Sequence, residues 1–172
     1  MRRLLVLIAV LLLPAAAFAQ LQIGGTGLYN YPIMTPGATD EIDISNFTFG
    51  ADARLKILFF QVSALGLVTP GSDTLGTPTS IDLVIDGGIS FDLLLFRVGL
   101  GVGPNLRIDL GEGTDPVGYG LNVKATADVM LGGLSVGLTY LNKFELDFSQ
   151  AEELLDQDYS TGLLGVSLLF SL

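Results

Sequence analysis

Apolar and polar residues alternate along most of this chain, and the phase of the alternation switches at three points. From Phe47 to Ile57 the odd positions are apolar, whereas the even positions, beginning with Phe60, become the apolar set after Ile57. A period of two is that of a β-strand, whose successive side chains point to opposite faces of the sheet. A phase switch across two residues indicates a tight hairpin, because the residues that flank the turn are paired on one face. The pattern therefore predicts a hairpin that turns near Leu58-Phe59, and a turn two residues later would preserve the same parity.

Two more switches, near Leu94-Leu95 and Gly132-Gly133, predict two more hairpins, and one alternating segment near each end completes a set of eight strands. We predict these strands over residues 21–30, 47–57, 60–68, 81–93, 96–103, 119–129, 134–140 and 164–172. The connections between them, residues 31–45, 69–80, 104–117 and 142–160, are long and rich in Gly, Pro, Asp and Glu. Short turns at one end and long loops at the other are typical of an outer-membrane barrel. The predicted fold class is all-β, an eight-stranded antiparallel up-and-down transmembrane β-barrel.

A secretory signal precedes the strands. Arg2 and Arg3 are followed by an apolar stretch from Leu4 to Leu13 and by Ala17-Phe18-Ala19, which has the form of a cleavage site. We predict a cleavable signal-peptide helix over residues 1–19 and one barrel domain over residues 20–172. An uncleaved anchor is the less favoured alternative, because a spanning helix needs about 20 apolar residues. The chain has no Cys, so a lipid-modified cysteine and disulfides are excluded.

The bulk composition combines acidity with strong hydropathy. The formal net charge is −10 and the mean hydropathy is +0.59. A nucleic-acid-binding protein needs a basic surface, so nucleic acid is not a predicted partner. The apolar residues must be hidden either in a core or in lipid.

The polar row of the alternating strands indicates which face meets lipid. A soluble barrel of the lipocalin type would also alternate, with its apolar row inside and its polar row in water. A solvated face usually carries Lys, Glu and Thr, but here the polar row is dominated by Gly and Ser, and the chain has only three lysines. Small side chains suit the interior of a narrow barrel. We therefore predict that the apolar row faces lipid and the polar row faces the interior.

Charged residues also lie on the polar row, and opposite signs nearly balance. We predict that they form a salt-bridged network that fills the barrel, because a charge that is buried without a partner costs several kcal/mol. The predicted network consists of Asp52, Arg54, Lys56, Asp86, Asp92, Arg97, Lys124 and Asp128, and Asp82 lies on the same row. Aromatic residues near both ends of the apolar row predict two girdles at the membrane surfaces.

Taken together, the signal, eight strands, four long loops and an apolar C-terminal strand make residues 20–172 similar to the small eight-stranded outer-membrane barrels. That family includes the transmembrane domain of outer membrane protein A and outer membrane protein X. The resemblance implies Sec-dependent export to the outer membrane of a diderm bacterium, contact with outer-membrane lipid, and a monomer. It also implies that the last strand is the signal read by the barrel-assembly machinery. This signal would consist of Leu164, Val166, Leu168, Phe170 and Leu172, although the family usually ends on an aromatic residue.

Little in the sequence points to catalysis. The chain has no His, so the commonest general base and imidazole metal ligands are excluded, and we predict neither an enzyme nor a cofactor. The acidic loops could bind divalent cations, but the favoured interpretation is that they keep the surface solvated and negative. Three functions stay open: a structural or surface-interaction barrel with a packed interior, a narrow pore for small solutes, and, less favoured, a soluble periplasmic carrier.

Overall fold

Nearly all of the described chain forms one closed barrel. The computed structural model describes residues 19–30, 44–72, 76–111, 117–145 and 162–172, and the barrel contains eight antiparallel strands in sequence order. The strands are β1 (Ala19–Asn30), β2 (Phe47–Ile57), β3 (Phe60–Thr69), β4 (Ser80–Leu93), β5 (Phe96–Asp109), β6 (Val117–Leu131), β7 (Leu134–Glu145) and β8 (Leu163–Ser171). A short 3₁₀ helix, Ile44–Asn46, leads into β2.

Closure comes from the pairing of the first strand with the last. β1 pairs with β2 on one side and with β8 on the other, so every strand has two neighbours. A closed barrel leaves no sheet edge on which another chain could add a strand. The predicted eight-stranded antiparallel up-and-down architecture is confirmed. The predicted signal peptide lies outside the described residues, apart from Ala19, with which β1 begins. Among the described residues, no helix is long and apolar enough to cross a membrane.

The three tight turns lie where the phase switches predict them. Ile57 pairs with Phe60, and the two other hairpins likewise leave only Leu94-Leu95 and Gly132-Gly133 between their strands. The first turn residue of each hairpin has a positive φ: 58° at Leu58, 58° at Leu94 and 70° at Gly132. Glycine adopts this left-handed conformation without penalty, whereas a leucine is strained there.

The strain at the second hairpin turn gives a first prediction. We expect Leu94→Asn to raise the free energy of unfolding by about 1 kcal/mol relative to Leu95→Asn, because asparagine tolerates a left-handed backbone. Leu94 is 97% exposed, so its replacement removes no packing within the barrel. Urea unfolding in one lipid or detergent measures both variants, and Leu95→Asn controls for the lost apolar turn side chain. Equal stabilities of the two variants would contradict the strain.

Several strands extend further than the sequence pattern predicts, and β5 and β7 do so most. β5 continues to Asp109 and β7 continues to Glu145, so the predicted loops at 104–117 and 142–160 are wrong over 104–109 and 142–145. Pro104 suggests a loop because it cannot donate to a sheet, yet it pairs with Leu121 of β6. On the other side of Pro104, the ladder between β4 and β5 is interrupted, and regular pairing resumes at Asn105. The missing N–H is therefore accommodated by a local break rather than by the end of the strand.

Burial along the strands alternates as sharply as the sequence. In β3, for example, burial alternates residue by residue from Gln61 to Val68, and the exposed positions include Val62 and Val68. The exposed positions of the strands are predominantly apolar, and the buried charged side chains lie on the inward row. The barrel thus encloses its charged side chains, and these are the natural candidates for function.

Candidate functional site

Among the described residues, ten charged side chains lie in the interior, and each belongs to an ion pair. Five are carboxylates and five are cations, so their formal charges cancel. The carboxylates are Asp52, Asp82, Asp86, Asp92 and Asp128, and the cations are Arg54, Lys56, Arg97, Lys124 and Lys143. A buried charge is tolerated only when it is paired and hydrogen-bonded, so this balance is a condition for the barrel to fold.

Arg54 joins opposite walls of the barrel. Its Nε donates to Asp52 Oδ2 at 2.8 Å, and its Nη1 donates across the interior to Asp128 Oδ2 on β6 at 2.8 Å. Nη2 donates to Thr139 Oγ1 on β7 at 3.3 Å. The planar guanidinium suits such a fork, and charge-assisted hydrogen bonds are stronger than neutral ones. Arg54 therefore links β2 to β6 and β7 through groups that are fully buried.

Besides the ion pairs of Arg54, a second cluster of charged side chains lies near the tight turns. Asp92 accepts a hydrogen bond from Arg97 Nε at 2.6 Å and another from Lys56 Nζ at 2.6 Å. Arg97 Nη1 donates to Gln22 Oε1 at 2.8 Å, and Nη2 donates to Gln20. Asp92 is 30% exposed, so this cluster reaches the turn end of the barrel.

A third cluster lies midway along the strands. Lys124 Nζ is 2.9 Å from Asp86 Oδ2, which also accepts a hydrogen bond from Ser63 Oγ at 2.5 Å. Lys124 contacts Ser63 as well. All three side chains are almost completely buried.

The structure brings together all eight residues of the predicted network and adds one pair. Lys143 Nζ donates to Asp82 Oδ2 at 2.7 Å, linking β7 to β4 across the loop half of the interior. Sequence reasoning missed Lys143 because the predicted seventh strand stopped at Tyr140. The available signal was the alternation itself, since odd positions of β7 face inward and Lys143 continues that row.

Glycines make room for the network carboxylates. A methyl group at Gly101 would overlap the carboxylate of Asp86, and one at Gly137 would overlap that of Asp128. Gly101 lies on the strand between Asp86 and its partner Lys124, and Gly137 lies directly opposite Asp128 on the neighbouring strand. The small-residue character of the polar row is thus a packing requirement of the ion pairs.

The glycine contacts give a second prediction. We expect Gly137→Ala to lower the free energy of unfolding by about 1–3 kcal/mol, the usual range for an overpacked interior, because Asp128 must move away from Arg54. Gly66→Ala is the matched control, since a methyl group at Gly66 meets nothing within 4 Å. Urea unfolding measures the free energy of unfolding of both variants. Equal values would contradict the predicted overlap between the added methyl group at position 137 and the carboxylate of Asp128.

An apolar layer crosses the loop half of the interior. It consists of Leu28, Leu65, Leu67, Val84, Leu141 and Leu163, all buried. The sequence pattern did not predict this apolar layer, because small or charged residues were expected on the inward row. The signal was in β3, where Leu65 and Leu67 follow the inward Ser63 and interrupt the alternation. Most of the ion pairs therefore lie toward the tight turns, whereas the loop half holds the apolar layer together with the Asp82–Lys143 pair.

The predicted assembly signal occupies the outer face of the last strand. All five of its residues are exposed, and they are Leu164, Val166, Leu168, Phe170 and Leu172. The inward residues of the same strand include Leu163 and Leu169, which are buried. The C-terminal segment therefore presents one continuous apolar row outward.

The described residues contain no group of three or more His, Cys, Asp or Glu side chains arranged to hold a metal ion. Most of the acidic loop residues lie outside the described ranges. Of those within them, Asp109 belongs to β5 and accepts a hydrogen bond from Arg107 Nε at 2.9 Å. Divalent-cation binding by the loops therefore stays a prediction.

Comparison with protein-family models, with curated proteins and with solved structures finds no match to this chain. The resemblance to small outer-membrane barrels therefore rests on architecture, and function must be argued from the distribution of apolar and charged side chains.

Proposed function

We propose that this protein is an outer-membrane β-barrel with a closed interior that serves a structural or surface-interaction role. One observation carries the proposal: the barrel is apolar outside and charged inside. A protein in water buries its apolar side chains and exposes its charges. This barrel has the reverse arrangement, which is stable when the surrounding medium is lipid.

Aromatic side chains at both ends of the outer surface also support placement of the barrel in a bilayer. Exposed aromatic side chains lie near the tight turns, where they include Phe60, Phe91, Phe96 and Phe170, and near the loops, where they include Phe49 and Tyr119. Aromatic residues favour the membrane–water interface at both surfaces. The turn residues Leu58, Phe59, Leu94 and Leu95 are also exposed. Apolar turns are costly in water but suit a turn that dips into the interfacial region.

Export to the outer membrane of a diderm bacterium and assembly by the barrel-assembly machinery belong to this proposal. Their support is the signal-like N-terminus and the outward apolar row from Leu164 to Leu172. We propose a monomer in outer-membrane lipid, since closure leaves all strands paired within one chain.

The soluble-carrier alternative fits the structure less well. A carrier of that type keeps an apolar cavity inside its barrel and polar side chains in water. Here ion pairs cross the interior, and its apolar side chains form one contiguous buried cluster.

The narrow-pore alternative meets two obstacles inside the barrel. An eight-stranded barrel is just wide enough for its interior side chains, and here long charged side chains cross it. The apolar side chains of the loop half offer no polar partner to an ion. Hydrophobic constrictions stop conduction by excluding water. We therefore propose that the barrel does not conduct.

Bilayer recordings and fractionation test this function together. We expect the protein to remain with membranes until detergent is added and to show no steps of conductance in a planar bilayer. Release by osmotic shock without detergent would overturn the membrane assignment. Resolved conductance steps from the wild-type barrel would overturn the closed interior and favour the pore.

The apolar layer gives a third prediction. We expect Leu65→Ser combined with Leu67→Ser to raise the conductance or leak of the barrel more than Ser63→Ala combined with Ser90→Ala, because only the first pair hydrates the apolar layer. All four positions are buried and face inward from β3 and β4. Planar-bilayer recordings compare the two variants. A leak that appears only when Ser63→Ala is combined with Ser90→Ala would show that the ion-paired side chains, and not the apolar layer, form the barrier to conduction.

A further inference from the structure

The loop end of the barrel holds a cavity of about 320 Å³, which we call the mouth site. It is lined by the loop ends of β2, β3, β4, β5 and β7, whose polar side chains here include Thr48, Thr69, Ser80, Arg107 and Lys143. Pockets that bind small molecules typically measure about 300–1,000 Å³. The mouth site is therefore large enough for a small ligand.

Both charged side chains that line the mouth site are cations. The side chain of Arg107 is 43% exposed and that of Lys143 is 19% exposed, so solvent reaches both. None of the described residues that line the cavity is an aspartate or a glutamate. The chain as a whole carries a formal net charge of −10. The charged lining of this cavity thus has the opposite sign to the net charge of the protein.

The carboxylates that pair with these cations do not line the cavity. Lys143 Nζ donates to Asp82 Oδ2 at 2.7 Å, and Arg107 Nε donates to Asp109 Oδ1 at 2.9 Å. Asp82 is completely buried, and Asp109 is 23% exposed. Each ion pair therefore holds a cation in place at the cavity wall, while a ligand in the cavity would meet the cation rather than the carboxylate.

Both cations keep donors for a ligand. An ammonium group has three N–H donors and a guanidinium has five, and neither accepts a hydrogen bond. Among the described residues, the two Nη groups of Arg107 have no hydrogen-bond partner. The hydroxyls of Thr48 and Thr69 lie 2.7 Å apart, so one of them can donate to the other and leave a second hydrogen for a ligand. This surplus of donors favours a phosphate, which has three terminal acceptor oxygens, over a carboxylate, which has two.

We propose that the mouth site binds the phosphate group of a small phosphate monoester. Its oxygens would accept hydrogen bonds from the Nη groups of Arg107 and from Lys143 Nζ, while both ion pairs stay in place. The guanidinium fork matches a phosphate bidentately, and the ammonium group adds a point charge. The organic part of the ligand would contact Leu141 and Leu163, which also line the cavity. The inference rests on the proposed function only for the direction in which the mouth faces, which would be outward from the cell.

Binding is measured by calorimetry with the full-length barrel in a non-ionic detergent that lacks phosphate groups. The salt concentration is about 0.15 M, at which exposed charges more than about 8 Å apart are largely screened. The probes are inorganic phosphate, glycerol phosphate and glucose phosphate, and glycerol and glucose are their neutral counterparts. We expect saturable binding of at least one phosphate monoester and no binding of its neutral counterpart.

A second arm distinguishes a soluble phosphate from a lipid headgroup. The barrel is reconstituted in phosphatidylcholine vesicles with and without phosphatidic acid, whose headgroup is also a phosphate monoester. Weaker binding of the soluble probe in the presence of phosphatidic acid would show that the lipid headgroup occupies the same site. Unchanged binding would restrict the site to soluble monoesters. Both results support a phosphate site.

Two variants locate the binding. Arg107→Gln removes the exposed guanidinium, and Lys143→Gln combined with Asp82→Asn removes the ammonium group without leaving a buried carboxylate unpaired. We expect each to weaken binding about tenfold, as for one lost charge-assisted hydrogen bond. Lys124→Gln combined with Asp86→Asn is the matched control, because it also removes a buried Lys–Asp pair but neither residue lines the mouth site. This control should leave the affinity unchanged.

Three results would overturn the phosphate site. One is the absence of saturable binding of every phosphorylated probe, and another is equal binding of a monoester and its neutral counterpart. The third is an affinity that Arg107→Gln leaves unchanged in a folded barrel, which decides the matter even if the paired variants fail to fold. Membrane retention of the same samples is scored separately. A barrel that stays in the membrane but binds no phosphate refutes only this inference, and one that binds phosphate but is released by osmotic shock refutes only the proposed location.

Discussion

Replacing Arg54 with methionine is expected to lower the free energy of unfolding by about 3–5 kcal/mol, the range for breaking one side of a buried ion pair. Arg54 is the cation bound to both Asp52 and Asp128, and the other carboxylate oxygen of each aspartate has no partner. Both carboxylates would remain buried without the cation that pairs with them directly. Urea unfolding of the barrel in phosphatidylcholine vesicles, followed by circular dichroism, measures the loss.

Two controls separate burial of charge from loss of the side chain. Arg54→Met combined with Asp52→Asn and Asp128→Asn removes all three charges, so we expect it to recover most of the lost stability. Arg107→Met removes a cation that is 43% exposed, for which a loss of at most about 1 kcal/mol is expected. If Arg54→Met costs no more than Arg107→Met, the network does not hold the barrel together.

The strand count and turn positions were predictable because a β-strand has a rigid period. Each phase switch fixes a turn to within a residue or two, since a slip by one residue would turn every apolar side chain inward. The same alternation assigns Arg54 and Asp128 to the interior. The alternation located the turns even at Leu58 and Leu94, although leucine is a poor turn residue, because the apolar pattern on both sides of each turn indicated the register.

The partners inside the barrel were not predictable in the same way. Neighbouring strands supply Asp92 and Arg97, which the hairpin register places side by side. Arg54 and Asp128 lie on β2 and β6, and their contact depends on the tilt and stagger of the closed barrel. Alternation says which face a side chain occupies but not how far along the axis it lies. For the same reason, the sequence does not show that the inward apolar side chains meet in one cluster; the structure does.

The assignment of the outer surface to lipid gives the second large prediction. We expect Leu100→Arg to impair insertion into phosphatidylcholine vesicles and to lower the free energy of unfolding there by about 2–4 kcal/mol, the cost of an arginine on the lipid face at mid-bilayer. Leu100 lies within β5, away from the girdle residue Phe96 at which the strand begins, and its side chain is exposed. The inserted fraction and its urea unfolding provide the two measurements.

Leu110→Arg is the matched control, because Leu110 is an equally exposed leucine that directly follows the same strand at the loop end. An arginine near the interface costs at most about 1 kcal/mol, so this variant should insert normally. The comparison removes effects of charge and side-chain size and leaves only depth as the difference. In a water-soluble barrel the order would not appear, since replacing either leucine with arginine would then exchange an exposed apolar group for a solvated one. Equal insertion and stability of the two variants would therefore contradict a bilayer around β5, whereas a loss confined to Leu100→Arg is explained by the lipid depth that the proposed function requires.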